Sequence, residues 1–468
     1  MLSHISSDSL RGNLSFIASK LLEGRDTPSR GLDIAAEYIA AQLRKAGLQP
    51  PASSGGYFQT ARMLRLAPVA DGFELHLLEG SRTLDVAKAQ VLVVSEKPLD
   101  LAGVPVYKVA DPARLTSANV RGRVIALSEP AGQVRAAAKA AAALGPAAFL
   151  ETAAETGEQP ESRLIDAEEA TFAGVPRLIV RDPEAVSLLQ EAKSGDTGIT
   201  VSLRLNAPTA TPATVSNVAA WLRGSDPVLR HQYVLLTAHY DHIGRTAEGV
   251  ICPGANDDGS GTVSVIEIAQ ALAAMRVHPK RSIVFILFFG EEEGDVGSRY
   301  YASHPLFPLA QTVADLNLEQ VGRTDSDAGP EMSNATLTGF RYTSISSTLE
   351  EAGRLTGIKV YDTPDSDDFF ERSDNETFAE HGIPAHTIAV AYEFPGYHQP
   401  GDVWEKIDFG NMAKVDRMIA LGTAMLADSS QAPRWNRADP DTARYLRHRG
   451  GVPAPDGVQH PRRGHGAG

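Results

Sequence analysis

The sequence predicts a layered α/β protein in which helices pack against a β-sheet. Two continuous apolar runs, at residues 233–237 and 282–289, have the composition of central strands that are covered on both faces. Residues 262–275 between them have the length and apolar content of a helix. Because strands that alternate with helices build layered sheets, we expect a binding site beyond the carboxyl ends of these strands.

Further elements extend this pattern along the chain. The predicted strands are residues 312–318 and 386–390, and the predicted helices are residues 343–356 and 409–426. The first 50 residues are predicted to be helical, because apolar residues recur there at helical spacing. Most of one α/β sheet is therefore expected in the second half of the chain.

Residues 71–208 differ from the rest of the chain. Short apolar runs alternate there with two short helical stretches, which predicts a compact, strand-rich α/β unit. Since no catalytic cluster is evident in this unit, we interpret it as an insert. The expected organisation is residues 1–70 as the first part of the main domain, 71–208 as the insert, 209–432 as the rest of the main domain, and 433–468 as a basic, loosely ordered tail.

The composition excludes several classes of protein. With 44 Lys plus Arg against 58 Asp plus Glu, the 468-residue chain has a net charge of −14, which does not attract nucleic acid and suits a cation site. The single cysteine, Cys252, excludes an intramolecular disulfide, and we interpret it as a bystander rather than a nucleophile. No apolar run reaches the roughly 20 residues of a membrane span. The first ten residues do not have the pattern of a secretory signal.

Residues that commonly bind metals follow the predicted strands or precede a predicted helix. The motifs are His239-Tyr-Asp241-His242, Gly254-Ala-Asn-Asp257-Asp258-Gly-Ser-Gly261, Glu291-Glu292-Glu293, Asn317-Leu-Glu319 and Tyr397-His398. Imidazole and carboxylate groups are the ligands of zinc and similar divalent ions. A sheet brings strand ends together, and burying so much negative charge without a cation would be costly. The motifs therefore predict a divalent metal site at one edge of the sheet.

Other interpretations of single motifs are weaker. A lone histidine after a strand or a run of glutamates is commonly a surface feature, so only the coincidence of several motifs favours a metal. The loop at 254–261 approaches the spacing of a phosphate-binding loop, but Ser260 stands where that motif requires lysine, and two aspartates would repel phosphate. The motif His-Glu-x-x-His is absent, which excludes zinc proteases that place two histidines on one helix.

With these motifs in this order, the sequence resembles the co-catalytic di-zinc aminopeptidases and their relatives, the glutamate carboxypeptidases and glutaminyl cyclases. The segments Leu22-Glu-Gly-Arg25 and Ala46-Gly-Leu-Gln-Pro50 are similar to the helical start of secreted bacterial members. The resemblance implies a three-layer mixed β-sheet flanked by helices, with residues 71–208 as a protease-associated domain. It also implies a secreted or periplasmic location if a leader was removed.

The resemblance further implies two zinc ions per chain, with Mn2+ or Co2+ as substitutes. The implied ligands are His239, Asp257, Glu292, Glu319 and His398. Asp257 would bridge the ions, His239 and Glu319 would complete one site, and the other two ligands would complete the second site. His242 lies at the flank of its motif and is not counted as a ligand. Asp258 marks a peptide bond that is cis in the family.

Three other residues receive catalytic roles from the same resemblance. Glu291 would be the general base that takes a proton from a water shared by the two metals. Asp241 would orient His239, and the hydroxyl of Tyr397 would stabilise the developing oxyanion. Most members of the family have Asp where this chain has Glu319, and the extra methylene predicts a weaker site or a changed metal preference.

The implied substrates are peptides with a free N-terminus. We expect neither a nucleic-acid partner nor a membrane span. Carboxypeptidase activity, glutaminyl-cyclase-like activity and a non-catalytic binding protein of the same fold remain alternatives. A carboxypeptidase needs arginines that face a substrate carboxylate, and Arg323 and Arg341 are candidates. The segment 362–375 is a candidate rim of the substrate pocket, through Asp365, Asp367, Asp368, Phe369 and Phe370, although its acidic composition favours a surface loop.

Overall fold

The structure is a computed structural model that describes residues 1–127, 131–152, 163–168, 174–326, 329–363 and 366–450. The α-helices described are α1 (Ser7–Ile17), α2 (Arg30–Lys45), α3 (Ser117–Val120), α4 (Ala131–Ala142), α5 (Pro183–Glu191), α6 (Gly261–Ala273), α7 (Val296–Ser303), α8 (Ile345–Thr356), α9 (Asn375–Glu380) and α10 (Phe409–Asp428). The strands described are β1 (Phe58–Leu66), β2 (Glu74–Glu79), β3 (Arg82–Asp85), β4 (Val91–Val94), β5 (Leu99–Lys108), β6 (Val124–Leu127), β7 (Ala148–Thr152), β8 (Arg163–Asp166), β9 (Arg177–Val180), β10 (Gly195–Leu205), β11 (Ala210–Leu222), β12 (Tyr233–His239), β13 (Ser282–Phe288), β14 (Thr312–Leu318), β15 (Asp325–Ser326), β16 (Gly329–Pro330), β17 (Asn334–Leu337), β18 (Lys359–Tyr361) and β19 (Ala385–Ala389). The chain divides into two compact units: unit 1 contains Met1–Ala61 and residues 214–450, and unit 2 contains the described residues of Arg62–Ala213.

Unit 1 contains a mixed β-sheet with the strand order β18-β17-β19-β14-β12-β13-β11. Strand β12 is parallel to its neighbours β13 and β14, whereas β11 is antiparallel to β13. Every residue of β12, β13, β14 and β19 is buried, which confirms the prediction of central strands covered on both faces. Because β12, β13 and β14 are parallel, the residues that follow them lie at the same edge of the sheet.

Helices flank this sheet, as the sequence predicts. The predicted helices at 262–275, 343–356 and 409–426 correspond to α6, α8 and α10. Phe288 of β13 packs against Tyr301 of α7 and Phe378 of α9 in one apolar cluster. Helix α6 contacts β12 and α10, and α10 contacts α8. The mixed sheet flanked by helices confirms the predicted fold class.

The helical start of the chain consists of two helices, α1 and α2, joined by a turn. Ser6 Oγ accepts a hydrogen bond from Ser9 N at 3.2 Å at the start of α1, and Ser29 Oγ caps α2 in the same way. In the turn, Gly24 has a φ of +78°, and a Cβ there would lie 2.2 Å from the carbonyl oxygen of Gly244. Only glycine fits this close approach, which brings the segment beside the loop after β12.

Unit 2 contains a second mixed sheet, with the strand order β3-β2-β10-β5-β6-β7-β9-β4. One face of this sheet carries an apolar cluster that includes Leu77, Val106 and Val201, and α4 packs with Phe149 in a second cluster. The unit is therefore strand-rich α/β, in agreement with the predicted texture of residues 71–208. Its assignment as a protease-associated domain stays a prediction from the sequence.

Part of the stretch that the sequence predicts to be a loose tail packs in unit 1 instead. Trp435 is buried, donates a hydrogen bond from Nε1 to the carbonyl oxygen of Gly382 at 2.9 Å, and stacks on Tyr445. The prediction missed this because two aromatic anchors are inconspicuous among many charged, Gly and Pro residues. Residues 451–468 lie outside the described part of the chain. Among the described helices, none combines the length and apolarity that crossing a membrane requires.

Candidate metal centre

The predicted metal-binding motifs meet at the edge of the unit 1 sheet where β12, β13 and β14 end. His239 is the last residue of β12, Glu291 and Glu292 follow β13, and Glu319 directly follows β14. The loop that carries Asp257 precedes α6 at the same edge. This arrangement agrees with the expectation that a site forms beyond the carboxyl ends of the strands.

The first group of donor atoms consists of His239, Asp257 and Glu319. One donor atom from each lies within 4.8 Å of the others. His239 Nε2 lies 3.5 Å from Asp257 Oδ1, and the His239 side chain has no solvent exposure. These are three of the residues that the family resemblance implies as ligands.

The second group consists of His242, Asp257, Glu292 and His398, again with donor atoms within 4.8 Å of one another. His398 Nε2 lies 3.0 Å from Asp257 Oδ2 and 3.3 Å from Glu292 Oε2. Asp257 therefore belongs to both groups, with Oδ1 facing His239 and Oδ2 facing His398.

The sequence prediction did not count His242 as a ligand, but in the structure its side chain belongs to the second donor group. His242 is buried, and its Nδ1 lies 2.8 Å from Glu292 Oε1 and 3.8 Å from Asp257 Oδ2. The signal in the sequence was its place three residues after His239, at the end of a buried strand. That signal alone does not distinguish a donor from a neighbour of the site.

Buried polar atoms at the site fit a divalent cation. No described residue gives His239 Nε2 or Asp257 Oδ2 a hydrogen bond of ordinary geometry. Such atoms are costly to bury unless another partner satisfies them. Imidazole nitrogen and carboxylate oxygen are the donors that zinc accepts, so both groups suit the metal that the motifs predict.

The electrostatics of the site also favour a cation. The pKa of Glu319 is raised to about 7, mainly by burial and also by the nearby Asp257 and Glu292 carboxylates, against the opposing effects of His239 and Ser373. Burial likewise raises the pKa of Glu291 well above its ordinary value, with only His239 opposing among the leading contributions. A divalent cation would stabilise the charged form of both carboxylates.

The loop that carries Asp257 is fixed by hydrogen bonds from both sides. The Asp402 carboxylate accepts hydrogen bonds from the backbone N–H groups of Asn256 and Asp257 at 3.0 and 3.1 Å. Asn256 Oδ1 in turn accepts from the N–H groups of Gly322 and Arg323, both at 2.9 Å. The peptide bond between Asp257 and Asp258 is cis, as the family resemblance implies.

Arg25 joins the loop after β12 to the loop before α6, a role that the sequence motif did not reveal. Its guanidinium is fully buried and donates hydrogen bonds to four carbonyl oxygens, those of Ile17, Tyr240, Pro253 and Gly254, at 2.7–2.9 Å. A planar guanidinium with several fixed donors suits this task. Arg25 therefore holds the backbone on both sides of the donor groups.

The two remaining predicted residues lie at the site. Asp241 Oδ1 accepts a hydrogen bond from the Glu291 backbone N–H at 3.2 Å and lies 3.5 Å from His239 Nδ1. The Tyr397 ring stacks on the His398 ring, with centroids 4.0 Å apart. Burial, together with nearby carboxylates, raises the pKa of the Tyr397 hydroxyl, so this group keeps its proton at neutral pH.

The arginines that could face a substrate carboxylate have carboxylate partners within the chain. Arg323 is 2% exposed and forms a two-pronged ion pair with Asp325. Arg341 pairs with both Asp362 and Asp367, at 3.0 and 2.8 Å.

From the sequence, the segment 362–375 is either a candidate substrate rim or a surface loop, and Phe370 fits neither interpretation. Phe370 has no solvent exposure and packs against Tyr342 in the apolar cluster of unit 1. Phe369 stacks on Tyr392, and Asp368 is exposed. Asp365 lies outside the described residues. The acidic composition of the segment suggested exposure and concealed the role of Phe370 in the core.

Part of the chain matches a known protein family. Residues 217–423 match the sequence model of Peptidase family M28. These residues form a peptidase family M28 domain. They include both donor groups and all eight residues to which the sequence analysis assigned a ligand or catalytic role.

The chain is similar to proteins that are described as zinc metalloproteases or aminopeptidases. The chain is 29% identical over 265 residues to a probable zinc metalloprotease of Pyrenophora tritici-repentis, covering 48% of this chain and 54% of the relative. It is 26% identical over 267 residues to an aminopeptidase of Bacillus subtilis, covering 56% of this chain and 53% of the relative. The chain thus spans just over half the length of each relative. A solved zinc aminopeptidase from Bacillus subtilis aligns over 92% of this chain and 97% of its own, with a TM-score of 0.49 and 20% identity.

Proposed function

We propose that the chain is a zinc-dependent aminopeptidase that removes N-terminal residues from peptides. The observation that carries this proposal is the position of Asp257, whose two carboxylate oxygens face His239 in one donor group and His398 in the other. Such sharing is typical of sites that hold two metals close together. The M28 domain and its zinc metalloprotease and aminopeptidase relatives support the same function.

Glu291 is suited to act as the general base. Two zinc ions, when bound, lower the pKa of a shared water and polarise the scissile carbonyl. Glu291 Oε2 lies 4.0 Å from His239 Nε2, so the carboxylate is next to the first donor group without belonging to it. In the proposed reaction it accepts the proton that the attacking water loses and returns it to the leaving amine. Asp241 fixes this base through the hydrogen bond from the Glu291 N–H.

Tyr397 is suited to stabilise the oxyanion. Its ring is held against His398, and its pKa is raised, so its hydroxyl is a hydrogen-bond donor at neutral pH. A donor placed beside the metal centre is worth most when negative charge develops on the carbonyl oxygen in the transition state.

Charge favours an aminopeptidase over a carboxypeptidase. With metal bound, Glu291 and Glu319 would be charged, and their negative charge would attract a free α-ammonium group. By contrast, Arg323 and Arg341 already pair with carboxylates of the chain, so neither is available as an unneutralised anchor for a substrate carboxylate. A substrate is therefore expected to bind through its N-terminus.

The proposal is tested with zinc-loaded protein and aminoacyl-p-nitroanilides. We expect hydrolysis of substrates with a free α-amino group, none after removal of the metal with a chelator, and none with the Glu291→Gln variant. The matched controls are the same nitroanilides with an acetylated amine. Preferred cleavage of N-blocked peptides from the C-terminus would instead indicate a carboxypeptidase. Cyclisation of N-terminal glutamine would indicate a glutaminyl-cyclase-like activity. A zinc-loaded protein that turns over none of these substrates would refute the enzymatic proposal.

A further inference from the structure

We infer that the two metal positions are unequal, because His242 supplies a fourth protein ligand to the second one. This inference rests on the proposed function. The family resemblance implies three protein ligands at each position, whereas the structure surrounds the second with His242, Asp257, Glu292 and His398 and the first with only His239, Asp257 and Glu319.

The distances around His242 match those of a ligand. In a five-coordinate zinc site, which keeps a position for water beside four protein donors, donors at about 2.0–2.1 Å from the ion lie about 3–4 Å from one another. His242 Nδ1 is 2.8 Å from Glu292 Oε1 and 3.8 Å from Asp257 Oδ2. His398 Nε2 lies 3.3 Å from the other oxygen of Glu292, Oε2, and 3.0 Å from Asp257 Oδ2. The two imidazole nitrogens therefore approach the same pair of carboxylates to a similar extent.

The His242 ring is held with Nδ1 towards these carboxylates. Its backbone N–H donates to the carbonyl oxygen of Arg25 at 3.3 Å. Gly254 packs against the ring so closely that a Cβ at that residue would lie 2.5 Å from His242 Cγ. Among the described residues, none hydrogen-bonds to His242 Nε2, so the polar contacts of the ring are those of Nδ1 with the second donor group.

A different role for His242 would be to donate a hydrogen bond from Nδ1 to Glu292 and so orient that carboxylate. The variant His242→Asn separates the two roles, because an asparagine amide can place an N–H donor close to where Nδ1 stood but is a poor zinc ligand. An orienting role would survive this substitution in large part. A ligand role would be lost, because the amide cannot replace the imidazole lone pair at zinc.

The experiment is a titration of metal-free, full-length protein with Co2+, followed by visible absorption, with competition by Zn2+. For the wild type we expect two sites, of which the four-donor site fills first. For His242→Asn we expect the affinity of the tighter site to fall by more than about 100-fold, beyond the 10- to 100-fold typical of groups that only orient a ligand. The exposed His231→Asn variant is the matched control and should bind like the wild type.

A loss of about 100-fold or less in the affinity of the tighter site in His242→Asn would overturn the inference. A second measurement does not depend on the folding of a variant: X-ray absorption of wild-type protein carrying one equivalent of Zn2+ should show two imidazole nitrogens, and a single imidazole would also overturn it. Failure of the wild type to bind two metals would refute the proposed function as well. Two bound metals of which the tighter has one imidazole would refute this inference alone.

Discussion

Arg25 Nη2 donates a hydrogen bond to the carbonyl oxygen of Gly254 at 2.9 Å, although more than 220 residues separate the two in the chain. The same buried guanidinium also binds the carbonyl oxygen of Tyr240 through Nε. One side chain from the N-terminal segment thus sets the spacing between the loop that begins at His239 and the loop that carries Asp257. The geometry of both donor groups therefore depends on Arg25, although its hydrogen bonds go to backbone carbonyl oxygens and not to the donor atoms themselves.

Replacing Arg25 with methionine is expected to destabilise the protein and weaken metal binding. Methionine leaves four carbonyl oxygens without their donor, and Arg25→Lys, which lacks the guanidinium fork, should recover only part of the loss. We expect the free energy of unfolding of the metal-free protein to fall by about 3 kcal/mol or more, measured by denaturant unfolding. Arg245→Met, which removes an exposed partner of Glu23, is the control and should change it by less than about 0.5 kcal/mol. Equal effects of the two substitutions would contradict the role of Arg25.

The substitution Glu291→Gln is expected to abolish most of the activity without removing metal. An amide cannot accept the proton of the attacking water, so kcat should fall by about 10²- to 10⁴-fold. Because Glu291 belongs to neither donor group, elemental analysis should still find as much zinc as in the wild type. Loss of zinc in this variant would show that Glu291 acts as a ligand, and unchanged kcat would exclude it as the base.

The substitution Glu319→Asp is expected to weaken the first metal position, which reverses the expectation from the sequence that the extra methylene of Glu319 makes the site weaker. In this chain the glutamate carboxylate reaches to within 4.8 Å of the His239 and Asp257 donors, and shortening it by one methylene would draw it back. Titration with Zn2+ should show lower affinity at the weaker site and no change at the tighter one. Tighter binding at the weaker site would instead show that the Glu319 side chain is too long for the first metal position.

Stability should fall at acidic pH because of His386, which belongs to neither donor group. Burial lowers the pKa of this histidine to about 4. Its Nδ1–H donates to the carbonyl oxygen of Thr338, and its Nε2 accepts from the Thr343 hydroxyl, both at 2.6 Å, so the folded protein holds the neutral ring. Below about pH 6.5 the unfolded chain takes up a proton that the folded chain does not, and stability falls until about pH 4.

The variant His386→Gln measures this effect. Since glutamine does not titrate, the free energy of unfolding of the variant should fall by about 2 kcal/mol less between pH 7 and pH 5 than that of the wild type. Denaturant unfolding at each pH measures both. The exposed His231→Gln variant should follow the wild type across the same range. Parallel pH profiles for His386→Gln and the wild type would show that His386 titrates normally in the folded state.

The parts of the fold and site that the sequence predicts are those that depend on local patterns. Strands β12 and β13 are predictable because every one of their residues is buried, which requires continuous apolar runs. His239 and Glu319 follow from their places at the ends of such strands. His398 does not directly follow a strand, and its assignment as a ligand came from the resemblance of its motif to a known family.

The features that the sequence does not reveal depend on tertiary contacts. Arg25 resembles any surface arginine until the fold surrounds it with carbonyl oxygens. Phe370 lies in a segment rich in aspartate, and only the packing of Tyr342 and Trp435 against it shows that it belongs to the core. His242 becomes a donor candidate because the chain turns after β12 and presents its Nδ1 to Glu292.

The central claim is that the chain is an aminopeptidase whose activity requires two metal ions, both of which Asp257 would bind. The most direct measurement is the rate of hydrolysis of a free-amino p-nitroanilide while metal-free protein is titrated with Zn2+. We expect the rate to rise until two equivalents per chain are bound, with no hydrolysis of the acetylated substrate at any point. Full activity at one equivalent, or equal rates on the free and the acetylated substrate, would contradict the claim.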